Sequence, residues 1–462
     1  MINRLGEKFT DFFRKNMPDA FVFAIILTII TSICSSLFVN ATFTEIIDSW
    51  YKGFWMLLEF GMQMILLIVT GYTIAISPSV GILIDRLSKY IKTPNQVYFF
   101  VTLFGLLVSM ISWGWIVVAA AFARSLAERI KGINYPFLIA CTYISNGSWV
   151  TGLSSSIPLL LNTQNNYLIE AGVLNDTIST GYTLGSILNI SMVFIYLIFV
   201  PFLILFIKPK KTKDLSSLLI TVSKNKKSVE QEALDQKLPF WAISDKLNNS
   251  FILNITIALM GLIYIIRYFF LNGFDLNLNI MIFIFLFLGL TLHKSPLRYG
   301  IAMQRTSSNI SSLVFQFPFY AGIMGIMIYT GLGASLAQWI AEVGSVSTYP
   351  LYAFILGGIV NFAIPSGGGE FAVIGPSILE AVKTIGYGLT NSELIEMMSR
   401  ASLAVAYGES LTNLLQPFYL LLILPIMGVG TNIQARDVMG YLVLPFLILF
   451  IIYIPLLLFI PL

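Results

Sequence analysis

Three glutamates stand in stretches so apolar that any acid there is a candidate for proton or cation chemistry. Glu409 lies in Ala406-Tyr407-Gly408-Glu409-Ser410-Leu411-Thr412-Asn413, Glu370 directly follows Ser366-Gly367-Gly368-Gly369, and Glu59 sits near one end of an apolar run. Ionisable side chains at membrane depth are expensive, so they face protein or water and mark pathways and relays. Glu409 is the first choice for such a role, against a structural hydrogen bond to its own break. Glu370 either reaches a cavity or caps the helix after the glycines. Glu59 reads as an interfacial packing group.

Hydroxyls and amides able to hold a small ion accompany these acids: Ser112, Trp113 and Gly114 in one polar tip, Ser145 and Asn146 in an interrupted run, Asn361 and Ser366 before the glycines, and Tyr407, Thr412 and Asn413 beside Glu409. Half-helices that start at such breaks aim unsatisfied N–H groups at a bound anion. None of these places carries Lys or Arg. A carboxylate there would be held by amides, hydroxyls and a cation instead of a guanidinium fork, which favours a small, singly charged anion. Beside an ionised Glu409 it would be repelled in low dielectric unless one partner is protonated or a cation intervenes. Cation symport is the expectation, with H⁺ on Glu409 or Glu370, or Na⁺ wrapped by Ser366, Thr412, Asn413 and backbone carbonyls; the residues leave that choice open. Gly367, Gly368 and Gly369 are not a phosphate loop, because no Lys-Ser/Thr follows and no strand precedes. They supply a tight turn.

Whatever positions these groups must fold in lipid. The 462 residues are 57% hydrophobic and 11% charged, against about 45–50% and about 25% in soluble domains. A net charge of +4 diluted among apolar runs makes no face for nucleic acid. Cys34 and Cys141 fall in apolar segments and read as small hydrophobes, and a lone His293 at the end of an apolar run reads as interfacial and excludes multi-histidine metal sites. No cofactor is expected. Arg4, Lys8, Arg14 and Lys15 with Leu5, Phe9, Phe12 and Phe13 at helical spacing make an amphipathic N-terminal foot ahead of a retained first span.

About 20 apolar residues cross the hydrocarbon core. Runs that long, or nearly so, occur at Phe21 to Val39, Phe54 to Ile76, Tyr182 to Ile207, Phe251 to Leu271, Ile280 to Leu292, Leu313 to Thr330 and Val438 to Ile460. Pro136 to Leu161 and Ala401 to Met427 are interrupted at Ser145-Asn146-Gly147-Ser148 and Tyr407-Gly408-Glu409-Ser410. Asn95 to Lys131 and Tyr349 to Lys383 are each two short arms around Ser112-Trp113-Gly114-Trp115 or Pro365-Ser366-Gly367-Gly368-Gly369. If both return to their own side, 23 of the 27 basic residues fall on one side, leaving Lys52, Lys383 and Arg400 opposite and Arg267 within a span. The positive-inside rule therefore selects nine spans and two re-entrant hairpins, with the N-terminus cytoplasmic and the C-terminus external. The fold class is an all-α polytopic membrane protein. Residues 1–207 form a first repeat with the inner hairpin at 95–131 and a broken helix at 136–161; 208–249 is a cytoplasmic linker; 250–462 holds an extra span and a second, inverted repeat with the outer hairpin at 349–383 and a broken helix at 401–427. Gly105 and Gly114 recur 253 positions later as Gly358 and Gly367. Inverted repeats with paired interruptions are secondary-transporter architecture, with the site at the midplane.

The chain also resembles the bacterial short-chain fatty acid transporter family. The residues that carry the likeness are Pro18-Asp19-Ala20-Phe21, Phe54-Trp55-Met56-Leu57-Leu58, Phe60-Gly61-Met62-Gln63-Met64, Trp113-Gly114, Tyr135-Pro136-Phe137-Leu138-Ile139-Ala140-Cys141, Gln316-Phe317-Pro318-Phe319-Tyr320-Ala321-Gly322, Asn361 through Gly369, Ala406-Tyr407-Gly408-Glu409 with Gln416-Pro417-Phe418, and Arg436-Asp437-Val438-Met439-Gly440-Tyr441. The blocks keep their order over nearly the whole chain. The resemblance implies uptake of short monocarboxylates such as butyrate or acetoacetate at the bacterial inner membrane. It also implies an ion-transporter superfamily with paired hairpins. Family members can carry His after the triple glycine, where this chain has Glu370.

The expected partners are a small monocarboxylate, a coupling cation and the lipid bilayer, with room for a homo-oligomer. Rival readings are a carrier of another organic anion such as a C4-dicarboxylate, a channel, or a membrane-embedded enzyme. The lone histidine at a span end disfavours a hydrolase, and paired inverted hairpins suit alternating access better than a continuous pore.

Overall fold

The computed structural model describes residues 20–219, 228–238, 240–273, 275–307, 311–362, 364, 366–428 and 430–462. The expected amphipathic foot and Pro365 of the second tip lie outside the described residues. Within them the chain is almost wholly helical, with two isolated bridges, Asn134 to Lys213 and Leu219 to Thr431, in place of any strand.

The helices in chain order are α1 (Ala20–Phe38), α2 (Phe43–Phe54), α3 (Leu58–Ala75), α4 (Pro78–Ser88), α5 (Pro94–Ile111), α6 (Ile116–Arg129), α7 (Tyr135–Ser145), α8 (Ser156–Leu161), α9 (Ile187–Ile207, with a π turn at Ile195–Phe199), α10 (Phe251–Asn272), α11 (Leu278–His293), α12 (Pro296–Ser307), α13 (Ser311–Tyr329), α14 (Leu332–Val343), α15 (Tyr349–Asn361), α16 (Gly367–Ile385), α17 (Asn391–Thr412), α18 (Leu420–Met427) and α19 (Val443–Phe459). Their starts are written locally. Thr42 with Glu45, Thr93 with Gln96 and Thr390 with Glu393 form capping boxes, and Pro94 stands where a missing N–H does no harm.

Among the described residues, four helical segments are long and apolar enough to cross a membrane: Leu58–Ala75, Pro94–Ile111, Ile187–Ile207 and Ile243–Asn272. A fifth candidate is the pair Phe317–Tyr329 and Leu332–Val343, bent by 70° at Thr330-Gly331, where Gly331 adopts a positive φ of 83°. Shorter apolar helices stand at the other expected crossings, Ala24–Phe38, Leu278–His293 and Val443–Phe459. Phe206, Phe270 and Ile252 point outward at 88%, 87% and 73% exposure, while Asn361 and Glu370 are fully buried. A bilayer permits that distribution and water does not.

Three expectations need correcting. The first hairpin arm, α5, is 18 residues long and could cross by itself, so arm length does not make this segment a hairpin. The two arms, α5 and α6, do pack side by side across the Ser112–Trp115 turn: the Phe104 ring lies 4.9 Å from that of Phe122, and Gly105 lies against Ser145 and Ala119. The second break is also displaced. Tyr407-Gly408-Glu409-Ser410 lies inside the unbroken α17, and the chain leaves the helix only at Asn413. Pro417 is the cause, forcing Gln416 to extended backbone at φ −130° and ψ 151°. Gly408 instead serves close packing: a Cβ there would meet Phe354 O of α15 at 2.1 Å. Third, His293, expected at an exposed helix end, is buried inside the protein. It is 1% exposed, with Nε2 2.9 Å from Thr73 O.

Candidate substrate and ion site

Four irregular places meet around one small cavity of about 40 Å³, measured as the room for the centre of a water-sized sphere. The first tip contributes Ser112, Trp113 and Gly114; the break between α7 and α8 contributes Trp149 and Ser154; the second tip contributes Ser366 and Gly367; the end of α17 and the break after it contribute Glu409, Phe418 and Tyr419. Met64, Leu67 and Ile68 of α3 complete the wall. Non-helical backbone at this depth is tolerated only against protein or a watery cavity, which is why the breaks converge. A larger cleft of about 1350 Å³ opens between α10 and α11 and beside Glu59, but none of the tips or breaks at Ser112, Ser366 or Asn413 borders it.

Each tip is pinned by close contacts with its neighbours. Trp113 N–H donates to Ser154 Oγ at 2.9 Å, Trp115 Nε1–H to Gly71 O at 2.7 Å, and Ser112 fits against Gly71, where a Cβ would come within 2.3 Å of its Oγ. Asn146 supports the same tip: with its amide turned so that oxygen and nitrogen exchange places, it donates to Trp113 O and Ser109 Oγ and accepts from Trp113 Nε1–H. Ser366 is the N-cap of α16 and accepts from Gly369 N–H. Gly367 lies against Trp149, and a Cβ on Gly368 would meet Phe60 Cζ at 2.5 Å.

Glu409 is the single acid on the cavity wall and is 1% exposed. Its Oε1 accepts from Asn413 Nδ2–H at 2.7 Å, and its Oε2 has no partner. Asn413 also donates to Tyr419 OH at 2.9 Å, which in turn accepts from Trp149 Nε1–H at 3.0 Å. Behind them Asn361 Nδ2 donates to Glu409 O, Thr412 Oγ1 and Asn413 Oδ1 at 3.0, 2.8 and 3.2 Å, and Gln416 Nε2 donates to Asn413 Oδ1 at 2.7 Å. The oxygens nearest Glu409 are thus occupied by amide donors, while one carboxyl oxygen is left for whatever enters.

Of the residues expected at the site, Ser112, Trp113, Gly114, Ser366, Gly367 and Glu409 line the cavity; Asn146, Asn361, Thr412 and Asn413 brace it. Ser145 bonds back to Thr142 O, Tyr407 OH donates to Asn189 Oδ1 at 2.9 Å, Gly369 packs on Tyr320, and Glu370 turns away toward α15. Glu59 is exposed and lies 3.5 Å from Gln63 Nε2 in the larger cleft.

The family model described as short chain fatty acid transporter matches residues 1–460. The chain belongs to that family. Similar proteins include provisionally named short-chain fatty acid transporters of Escherichia coli, 36% identical over 444 residues, and Haemophilus influenzae, 34% identical over 449 residues, each match covering 96% of both chains. The fold is that of the Alcanivorax borkumensis YdaH transporter (TM-score 0.55, 15% identity, 95% of this chain and 97% of that one) and of Neisseria gonorrhoeae MtrF (TM-score 0.54, 16% identity, 98% and 96%), the latter described as representing a class of antimetabolite efflux pumps. This family member is accordingly a multi-pass membrane protein. Its sequence reading missed Trp149, Ser154, Phe418 and Tyr419. The available signals were an aromatic three residues into a polar break at Asn146 and the Pro417 stop beside two aromatics.

Proposed function

We propose that the protein is a secondary active transporter that carries short-chain fatty acids or related small monocarboxylates across the bacterial inner membrane by proton symport. The observation that carries this reading is the cavity itself: helix tips and aromatic and aliphatic walls, no Lys or Arg, and one acid with a free oxygen. Backbone N–H groups at the tips suit one carboxylate, and Met64, Leu67, Ile68, Trp113 and Phe418 suit a short acyl tail. A second carboxylate would have no cation to meet. The proton is favoured over Na⁺ because Glu409 Oε2 is free to carry it, while Asn413 Oδ1, one of the oxygens expected to wrap Na⁺, already accepts from both Asn361 and Gln416. Proton on Glu409 and carboxylate on the tips would enter together, and re-entrance of the two hairpins in inverted halves would expose them to either side in turn.

Counterflow in proteoliposomes tests the reading. Internal butyrate should drive transient uptake of labelled butyrate or acetoacetate and leave labelled succinate outside, and an inward proton gradient should drive net accumulation. Succinate uptake matching butyrate would overturn the monocarboxylate assignment; accumulation under a Na⁺ gradient alone would replace the proton.

A further inference from the structure

Beside the cavity one buried acid has no part in this scheme. Glu370, in the first turn of α16, is fully buried and neither carboxyl oxygen has a hydrogen-bond partner. It does not line the cavity. Its side chain reaches the seam between α15 and α17, where a Cβ on Gly357 would meet Glu370 Oε1 at 3.1 Å and Val405 O at 2.9 Å. Glycines close this seam along its length: a Cβ on Gly408 would strike Phe354 O at 2.1 Å, and one on Gly358 would meet Thr412 Cγ2 at 3.0 Å.

The surroundings offer Glu370 no counter-charge among the described residues. The packed helices α8, α13 and α15 carry no Asp, Glu, Lys, Arg or His, with Tyr320, Tyr329, Tyr349 and Tyr352 their only titratable groups, and on α16 itself Glu380 and Lys383 pair with each other nearly three turns further along. Glu342 of α14 and Glu59 of α3 are exposed near helix ends, and Glu393, Glu396 and Arg400 of α17 lie in its first three turns, Arg400 engaged with Leu457 O. Tyr407 is held by Asn189. Glu409, one turn beyond Val405, remains as the facing acid. A carboxylate in such a place would be a bare negative charge, which proteins avoid by neutralising the group.

We infer that Glu370 is a second proton-binding site of the transport cycle, separate from the substrate cavity and built into the seam of α15, α16 and α17. With the seam closed the group is a carboxylic acid. When α16 draws its first turn away from the seam, the O–H bond breaks, the proton passes to water on that side, and the carboxylate waits there to take a proton from the other. Two protons would then accompany each monoanion, one on Glu409 and one on Glu370. The inference rests on the proton-coupled reading above.

Infrared difference spectroscopy between acid and alkaline conditions tests proton binding without any substrate. The purified protein should show the carbonyl stretch of a protonated carboxylic acid, and Glu370→Gln should remove one such component while Glu409→Gln removes another. In proteoliposomes Glu370→Gln should lower the steady-state accumulation of butyrate about tenfold for each pH unit of gradient, since each lost proton removes one such factor, with exchange falling far less. An unchanged infrared spectrum in Glu370→Gln, or an unchanged accumulation ratio, overturns the second site. If Glu370→Gln does not fold, Glu370→Asp keeps the acid and should shift the band; no shift also overturns it. Absence of butyrate counterflow with the Glu370 band present would sink the substrate reading and leave the proton site standing.

Discussion

Glu409 combines one satisfied oxygen with one free oxygen on the cavity wall, and the proposed proton coupling rests on this asymmetry. Glu409→Gln imitates the protonated acid at nearly constant shape. It should exchange butyrate at a measurable rate yet fail to accumulate it against a gradient. Normal accumulation by the variant in proteoliposomes would make Glu409 structural. Asn361 is the brace behind it, with three donated bonds and its own carbonyl accepting from Gln416 Nε2–H at 3.2 Å. Asn361→Leu leaves those buried acceptors without their donor and should lower stability by about 1–3 kcal/mol. A thermal-unfolding midpoint equal to that of the wild type would dismiss the brace.

At the scale of elements, glycine sets how near the helices lie. Gly368→Val would drive a branched side chain into Phe60, and transport should be abolished in a protein that still inserts; unimpaired butyrate uptake by the variant would take the second tip out of the site. α17 illustrates a boundary decided by local chemistry at both ends. Its start is a capping box in which the Thr390 side-chain hydroxyl and backbone N–H hold Glu393 below the usual carboxylate range. A depressed pKa contributes stability above the ordinary glutamate value of about 4.3 and loses it as the pH falls through the lower folded value. The protection factors of amides in the first turn of α17, with the intrinsic pH dependence of exchange divided out, should therefore fall on acidification below that range and stay flat above it; equal protection at both ends of the titration would discount the box. Its other end is Pro417, which also explains why the polar string around Glu409 could stay helical.

For the whole molecule, the arrangement of charge and the convergence of the breaks make one demand on topology. Single cysteines near Lys92 and Lys131 should be labelled from the cytoplasm, and cysteines near Ser347 and Lys383 from outside, in a background freed of Cys34 and Cys141. Labelling of either pair from opposite sides would rule out that hairpin as re-entrant and, with it, the inverted halves. The segment 208–249 joins this picture through Glu230 and Glu232 of the helix Val229–Asp235, which pair with Arg298 and Arg305 of α12. These are partly exposed ion pairs and are worth little individually.

Composition and the spacing of apolar runs by themselves determined the membrane class, the positions of most helices, and that the interruptions at Ser112, Asn146 and Ser366 mattered. Burial in lipid leaves so few tolerated polar residues that each one is informative. The family was legible for the same reason, in blocks such as Asn361 through Gly369. Which polar residues face the ligand was decided only by tertiary structure. Glu409 and Glu370 look alike along the chain, yet helix phase turns one to the cavity and the other into the seam of α15 and α17. Gly408 reads as a breaker in sequence and acts as a packing surface, because only the facing Phe354 carbonyl shows what its missing Cβ makes room for. Trp149 and Tyr419, far apart in sequence, join in one hydrogen bond only where two separate breaks meet, and no local pattern encodes a meeting of that kind.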